Sequence, residues 1–364
     1  MKKQYFFIIP LAILVVSAGF LRWAIFGDHS SIAQTDLLAS LSVNQIVPQG
    51  PAEASLIAVG DIMLSRGVAV KIKQNNSNDY PFLNVKDYLK TGDIVFGNLE
   101  TPIATGREIK PGELTFRSEP GLEKNLKESN FSILSLANNH TMNFGENGLK
   151  ETFDLLNSQG IKYAGAGNNA NEANAPAIIE SNGFKFAFLA YSYSSMIPAS
   201  YGAIDTRAGI AFMDIEKMKI AVAEAKRQVD FVIVSMHAGT EYIYTPIQEQ
   251  TEFARAAIDS GADMVIGHHP HVVQEMEKYN GKYIFYSLGN FIFDQMWSVP
   301  TREGIVMKAT FEKSGVKKIE LSPVLIQNYA QPEFIDLSEA TDIFKRLAYD
   351  IEGDSIIVWK SGKN

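Results

Sequence analysis

The sequence predicts an α/β sandwich of two mixed β-sheets flanked by helices, preceded by one N-terminal transmembrane helix. Three observations carry this. From residue 54 onward, short β-branched runs alternate with amphipathic helical stretches. Asn182-Gly183 and Asn280-Gly281 each sit between apolar runs, the signal of an antiparallel hairpin. At the start, Lys2-Lys3 precede an apolar run over Tyr5–Leu21. A chain of 364 residues has ample material for one large or two modest domains.

The N-terminal run is broken only by Pro10 and Ser17, and Arg22 and the patch Trp23–Phe26 follow it. A basic flank before a segment near bilayer length predicts a signal anchor over residues 1–27. The Lys pair stays cytoplasmic, so the expected location is the cell membrane, single-pass, with the domain extracytoplasmic. A second fate is open: cleavage after Ala33, in Ser31-Ile32-Ala33, gives a secreted protein. Residues 28–53 read as a linker, with a turn at Gln49-Gly50-Pro51. The main domain is expected over 54–330, and 331–364 as a C-terminal extension packing on it.

Six strands are expected, and each ends in polar residues. Ser55–Val59 runs into Gly60-Asp61, Asp93–Phe96 into Gly97-Asn98, and Phe131–Leu136 into Ala137-Asn138-Asn139-His140. Phe231–Ser235 runs into Met236-His237, Asp263–Ile266 into Gly267-His268-His269-Pro270-His271, and Tyr283–Tyr286 into Ser287-Leu288-Gly289-Asn290. Helices are expected at Gly148–Ser158, Ile215–Gln228 and Pro246–Ser260. The last has Thr245 as N-cap, Pro246 at N1, Gln248 at N3 and Gly261 closing it. Gly304–Ile326 alternates across Ser314-Gly315 and reads as a further hairpin.

Composition removes several kinds of chemistry. There is no cysteine, which excludes thiolate nucleophiles, disulfides and sulfur-ligated metals. A formal charge of −8 argues against a nucleic-acid partner, which needs a basic footprint. No G-x-S-x-G elbow is present, so a serine hydrolase is not indicated.

Open α/β sheets present ligands from strand ends, and five of the six histidines fall at such ends. Proline biases the residue before it toward extended geometry, so His269-Pro270-His271 can aim both imidazoles into one pocket. His237 offers a third imidazole and Asn139 a neutral oxygen, while Asp61 and Glu100 supply anionic oxygens. Ligation by nitrogen and oxygen alone suits one or two divalent transition-metal ions such as Mn, Fe or Zn. Such a centre activates water and clamps a phosphoryl oxygen. His140, beside Asn139, is placed to protonate a leaving oxygen as a general acid.

Taken in order, Gly60-Asp61, Gly97-Asn98-Leu99-Glu100, Ala137-Asn138-Asn139-His140, Met236-His237-Ala238-Gly239-Thr240-Glu241, Gly267-His268-His269-Pro270-His271 and Ser287-Leu288-Gly289-Asn290-Phe291 resemble the motifs of the CapA-type poly-gamma-glutamate capsule synthesis proteins. That family is similar to the calcineurin-like metallophosphoesterases, so the resemblance implies a metallophosphoesterase-like sandwich. It implies Asp61, Glu100, Asn139, His237, His269 and His271 as metal ligands and His140 as the catalytic acid. Asn98, Glu241, His268 and Asn290 are expected to orient these groups. Arg117, in the family element Phe116-Arg117, is expected to receive an anionic group. Met63 stands where the wider phosphoesterase pattern has His, and Asn143 where the CapA pattern has Asp.

The implied function is capsule, poly-gamma-glutamate or other envelope-polymer synthesis with a phosphoester-hydrolase-like site. The alternative is a non-catalytic polymer-binding or scaffolding subunit. Expected partners are the membrane, polymer synthase or export subunits, and an anionic polymer or phosphorylated envelope substrate.

Overall fold

Continuous apolar runs become strands buried on both faces, as parallel strands covered by helices must be. The computed structural model describes residues 52–347 and 356–358. The expected membrane segment at 1–27 and nearly all of the expected linker lie outside the described residues. Among those described, no helix is long and apolar enough to cross a membrane.

The first half of the chain lays down β1 (Ala54–Ile62), β2 (Ile94–Leu99), β3 (Ile133–Ser135) and β4 (Lys162–Ala164), neighbouring and parallel. Next come β5 (Ala166–Gly167), β6 (Ala177–Ser181), β7 (Phe184–Ser192), β8 (Gly209–Ile210), β9 (Phe231–His237), β10 (Met264–His268), β11 (Met276–Tyr279) and β12 (Lys282–Phe285). Six of these form a second sheet in the order β11-β12-β10-β9-β7-β6, while β5 pairs with β8. The chain then returns to the first sheet. There β13 (Asn290–Ile292) lies parallel to β1, and β14 (Glu303–Glu312), β15 (Gly315–Gln327) and β16 (Gln331–Phe334) extend it antiparallel. The last described strand, β17 (Ile356–Val358), pairs with β15.

Alternation along each strand sorts its side chains between two layers. Leu56 and Ala58 of β1, Phe96 of β2, Phe188 of β7, Ile233 of β9 and Ile266 of β10 meet in the core between the sheets. Ile57 and Val59 face outward onto helices α1 (Arg66–Asn75) and α2 (Gly145–Ser158), through Val68, Ile72, Leu149 and Phe153. On the far side, Leu189, Val232 and Val265 pack on α3 (Ile215–Lys226) and α4 (Gln248–Asp259), through Val222, Phe253 and Ile258. The result is a four-layer α/β/β/α sandwich. Beyond residue 330, β16 joins the first sheet, and Ile343 and Leu347 of the helix Thr341–Leu347 enter the core between the sheets.

Both Asn-Gly pairs form two-residue hairpin turns. Asn182 and Gly183 have φ of +49° and +83°, and Asn280 and Gly281 +48° and +76°, as the turn type that matches strand twist requires. The third hairpin turns through Lys313-Ser314, one residue earlier than expected, because Glu312 pairs with Gly315. Helix α4 begins at Gln248 rather than Pro246. Gln250, fully buried, accepts the Ile247 N–H at 3.0 Å and so fixes the helix start in place of Thr245.

Candidate metal centre

Parallel strands of both sheets end at one edge, and register sets the polar residues side by side. Asp61 pairs with Asn98 on β2 and with Asn290 on β13, while His237 pairs with His268 across β9 and β10. Backbone must approach backbone closely here. A Cβ on Gly60 would stand 1.9 Å from the Gly289 carbonyl oxygen, so only glycine fits.

Glu100 follows the end of β2, its N–H donating to the Ile62 carbonyl at 2.8 Å. Its Oε1 lies 3.8 Å from His271 Nε2, 3.9 Å from His140 Nε2 and 4.0 Å from His237 Nε2. The carboxylate is fully buried, and neither oxygen has a hydrogen-bond partner. Two groups with ion-binding geometry share it, Asp61–Glu100–His237 and Glu100–His269–His271. His237 Nε2 is also 3.0 Å from Asn139 Oδ1 and 3.1 Å from His269 Nδ1. Nitrogens bound to one ion at about 2.0–2.1 Å stand roughly 3.0–3.4 Å apart. An unsatisfied buried carboxylate facing imidazoles at these separations fits a divalent cation.

The surrounding amides fix orientation. Asn138 Oδ1 accepts the N–H groups of His140 and Thr141, which turns its Nδ2 toward Asn98 Oδ1 at 3.1 Å. Asn98 Nδ2 therefore donates to Asp61 Oδ1 at 2.8 Å and lies 3.2 Å from His237 Nδ1. Asn290 Nδ2 donates to the Thr301 carbonyl, so its Oδ1, 3.0 Å from His271 Nδ1, holds the proton there and leaves Nε2 facing Glu100. His268 Nδ1 lies 3.4 Å from Asp61 Oδ1, and its ring packs near Phe96.

His140 Nδ1 is 2.9 Å from Asn143 Oδ1, which also accepts the Phe116 N–H at 2.7 Å. That second bond identifies the atom as oxygen, so His140 carries its proton on Nδ1 and directs Nε2 at Glu100. The Phe116 ring stacks on the imidazole at 3.7 Å.

The local sequence is bent to achieve this. His269 has φ of +97° and His271 of +57°. The extended geometry expected before Pro270 is not adopted. The His269 N–H instead turns to Asp61 Oδ2 at 3.2 Å, which holds the backbone in a conformation costing roughly 1–3 kcal/mol per residue.

Charge is shared unevenly. Burial opposes ionisation of Asp61, but hydrogen bonds and charge from His268 and His271 hold its carboxyl well below the usual range. Burial and then the Asp61 charge push Glu100 well above it. Burial also opposes charge on His271, yet Glu100 and Asp61 outweigh it and raise the imidazole to about 9. His140 and His269 are both lowered to about 3, chiefly by burial.

Of the expected residues, Arg117 is engaged within the chain and Glu241 is exposed. Arg117 donates to Glu119 and to the carbonyls of Ala104 and Arg107, so its guanidinium is consumed before any ligand arrives. Glu241 is exposed at the mouth, and His237 meets Asn98 and Asn139 instead. The arginine behind the site is Arg66, whose guanidinium lies 4.4 Å from the Phe116 ring and bonds Asp294 and the Glu113 carbonyl. Nothing in its periodicity marked it. The signal was its place five residues after Asp61, at the start of α1. Met63 is fully buried, its sulfur accepting the Ser65 N–H at 3.1 Å.

Residues 55–295 match the family described as Bacterial capsule synthesis protein PGA_cap. The chain is 34% identical over 305 residues to the PGA biosynthesis protein CapA of Bacillus subtilis, covering 83% of this chain and 78% of that protein. It is 29% identical over 328 residues to the capsule biosynthesis protein CapA of Bacillus anthracis, covering 88% and 79%. Among solved structures, a phosphatase from Mycoplasma pneumoniae superposes with a TM-score of 0.50 at 15% identity, covering 76% of this chain and 95% of that one. The likeness is one of fold, with mixed sheets between helices in both.

Proposed function

The chain belongs to the bacterial capsule synthesis protein family PGA_cap, and from that premise we propose that it is a membrane-anchored, extracytoplasmic accessory of envelope-polymer synthesis that cleaves a phosphoester. The observation that carries the chemistry is Glu100, buried, unpartnered and common to both ion-binding groups.

Asp61, Glu100 and His237, with Asn139 beside His237, offer one cation position, and Glu100, His269 and His271 the other. Divalent ions bound there supply Lewis-acid polarisation of a phosphoryl oxygen and a more acidic water. The chain's own groups do the rest. Asn98 and Asn290 hold Asp61 and His271 in their ligating orientations, and Asn143 keeps the proton on His140 Nδ1. His140 Nε2 is thereby the free basic atom of the ring, which hands a proton to a leaving oxygen only after taking one from the attacking water.

The experiment is metal content of the purified full chain, measured alongside hydrolysis of bis-(p-nitrophenyl) phosphate. One or two transition-metal ions per chain are expected, with Glu100→Gln losing both metal and hydrolysis. Wild-type protein that holds no metal after reconstitution would refute the reading.

One observation favours a second reading. Met63 leaves the Asp61 position short of an imidazole, which fits a polymer-binding or scaffolding subunit that works with synthase or export partners without turnover. Full metal occupancy with no hydrolysis of any phosphoester would favour it.

A further inference from the structure

Exposed apolar side chains gather round one mouth of this domain. Among the described residues, Leu114 is 81% exposed and Trp297 64%, while Tyr242, Tyr244, Val299 and Tyr329 range from 40% to 55%. Single exposed rings need no explanation, but a contiguous patch does. Tyr242 and Trp297 meet edge to face at 5.9 Å. Trp297 and Tyr329 line a hollow of about 420 Å³ with Arg66, Lys71 and Pro111. Val299 follows two residues after Trp297, and Leu114 lies beside Glu113, whose carbonyl Arg66 holds.

The patch is coupled to the metal centre. The Tyr242 ring lies 6.2 Å from that of His271. Gln295 donates to the Tyr242 hydroxyl at 3.3 Å and accepts from Asn290, the residue that orients His271. Tyr242 and Tyr329 both hold φ of +66°, an outlier for bulky side chains. Both rings sit at turns: Tyr329 follows Asn328 in the β15–β16 connection, and the Tyr242 N–H donates to the Pro270 carbonyl at 2.8 Å.

We infer that this lip is a membrane contact. Its rings lie in the headgroup region of a phospholipid bilayer, so that a phosphorylated substrate with its apolar part in lipid reaches the Glu100 cluster. The inference rests on the anchored, extracytoplasmic reading above. Trp and Tyr are the side chains suited to such an interface, with an apolar body and a polar tip. Lys71 and the exposed Lys110 flank the patch and Glu241 offsets them, so ring burial rather than charge drives the contact. The tether permits it. Residues 28–53 extend to at most roughly 90 Å, more than the roughly 50 Å width of a domain of this size.

The test uses the full chain carrying Trp23→Phe and Trp359→Phe, so that Trp297 alone fluoresces. It is reconstituted in phosphatidylcholine vesicles with or without lipid brominated near the top of its acyl chains. Trp297 emission is expected to shift to the blue and fall by about half in brominated vesicles, as for rings ~5–10 Å into the interface. Leu114→Glu with Val299→Glu, both at exposed positions, should abolish most of that quenching. Added phosphatidylglycerol should change it little. Slowed hydrogen exchange over residues 240–245 and 296–300 in vesicles provides a second readout, free of the tryptophan substitutions. Emission and exchange indifferent to lipid overturn the proposal.

Alkaline carbonate extraction of the same full chain separates this from the reading beneath it. A retained chain with unquenched Trp297 defeats the lip alone. A chain released by carbonate defeats the anchor, and the lip then stands or falls on quenching when the chain is added to preformed vesicles.

Discussion

His237 Nε2 and His269 Nδ1 face each other at 3.1 Å, although the two residues lie 32 positions apart and leave neighbouring strands. Burial disfavours charge on both rings, so at most one N–H lies between the two nitrogens. A cation in the neighbouring Glu100 cluster would fit that juxtaposition, with Asn139 Oδ1 3.0 Å from His237 Nε2.

Removal of either imidazole should therefore show first in metal content. His237→Ala and His269→Ala are each expected to lower occupancy more than the ~10–100-fold seen when only an orienting partner is lost. Elemental analysis of the purified variants measures this. Unchanged occupancy in both would move the site away from these residues.

His140 is expected to matter for turnover and not for occupancy. His140→Ala should keep its metal and lose roughly 10²–10⁴-fold in kcat, the usual range for a general acid. Asn143→Ala should lose less, about 10–100-fold, because it releases the ring without removing it. Variants that lose metal and thermal stability together would instead make His140 a packing residue for Phe116.

Met63→His restores the imidazole of the wider phosphoesterase pattern beside Asp61. A rise in metal stoichiometry is expected, with a faster phosphodiester reaction if that position limits turnover. Titration calorimetry with Mn or Zn reports the stoichiometry. No additional binding would show that Asp61 and residue 63 do not share an ion.

Gly60→Ala should damage the site through the backbone. Its Cβ has no room against the Gly289 carbonyl, so β1 and β13 must separate and Asp61 must move away from Asn290. A loss of about 1–3 kcal/mol in unfolding free energy is expected, along with reduced metal content. Wild-type stability would mean that the two strands sit farther apart than described.

Much of this was written locally. Apolar runs ending in polar residues gave the parallel strands, and Asn-Gly gave two hairpins, because each pattern fixes backbone angles or a buried face by itself. The grouping of Asp61 with Glu100, and of His237 with His268, His269 and His271, was legible because parallel strands of one sheet end at a common edge, whereas stacking of the two sheets brings the two groups together. Other features depend on competition between distant groups, which no local pattern records. Arg117 is occupied because Glu119 and the carbonyls of Ala104 and Arg107 reach it first. Helix α4 starts late because buried Gln250 also bonds Gln274 and the Tyr286 carbonyl. The left-handed turn at His269 exists because Asp61, 208 residues away, accepts its N–H. The aromatic lip likewise joins the loops holding Tyr242, Trp297 and Tyr329, which are neighbours only after the two sheets have stacked. Sequence determined which chemistry this protein could carry, through residue types at strand ends. Tertiary structure decided which side chains remain free to perform it, because a hydrogen bond or an ion pair goes to the nearest partner in space.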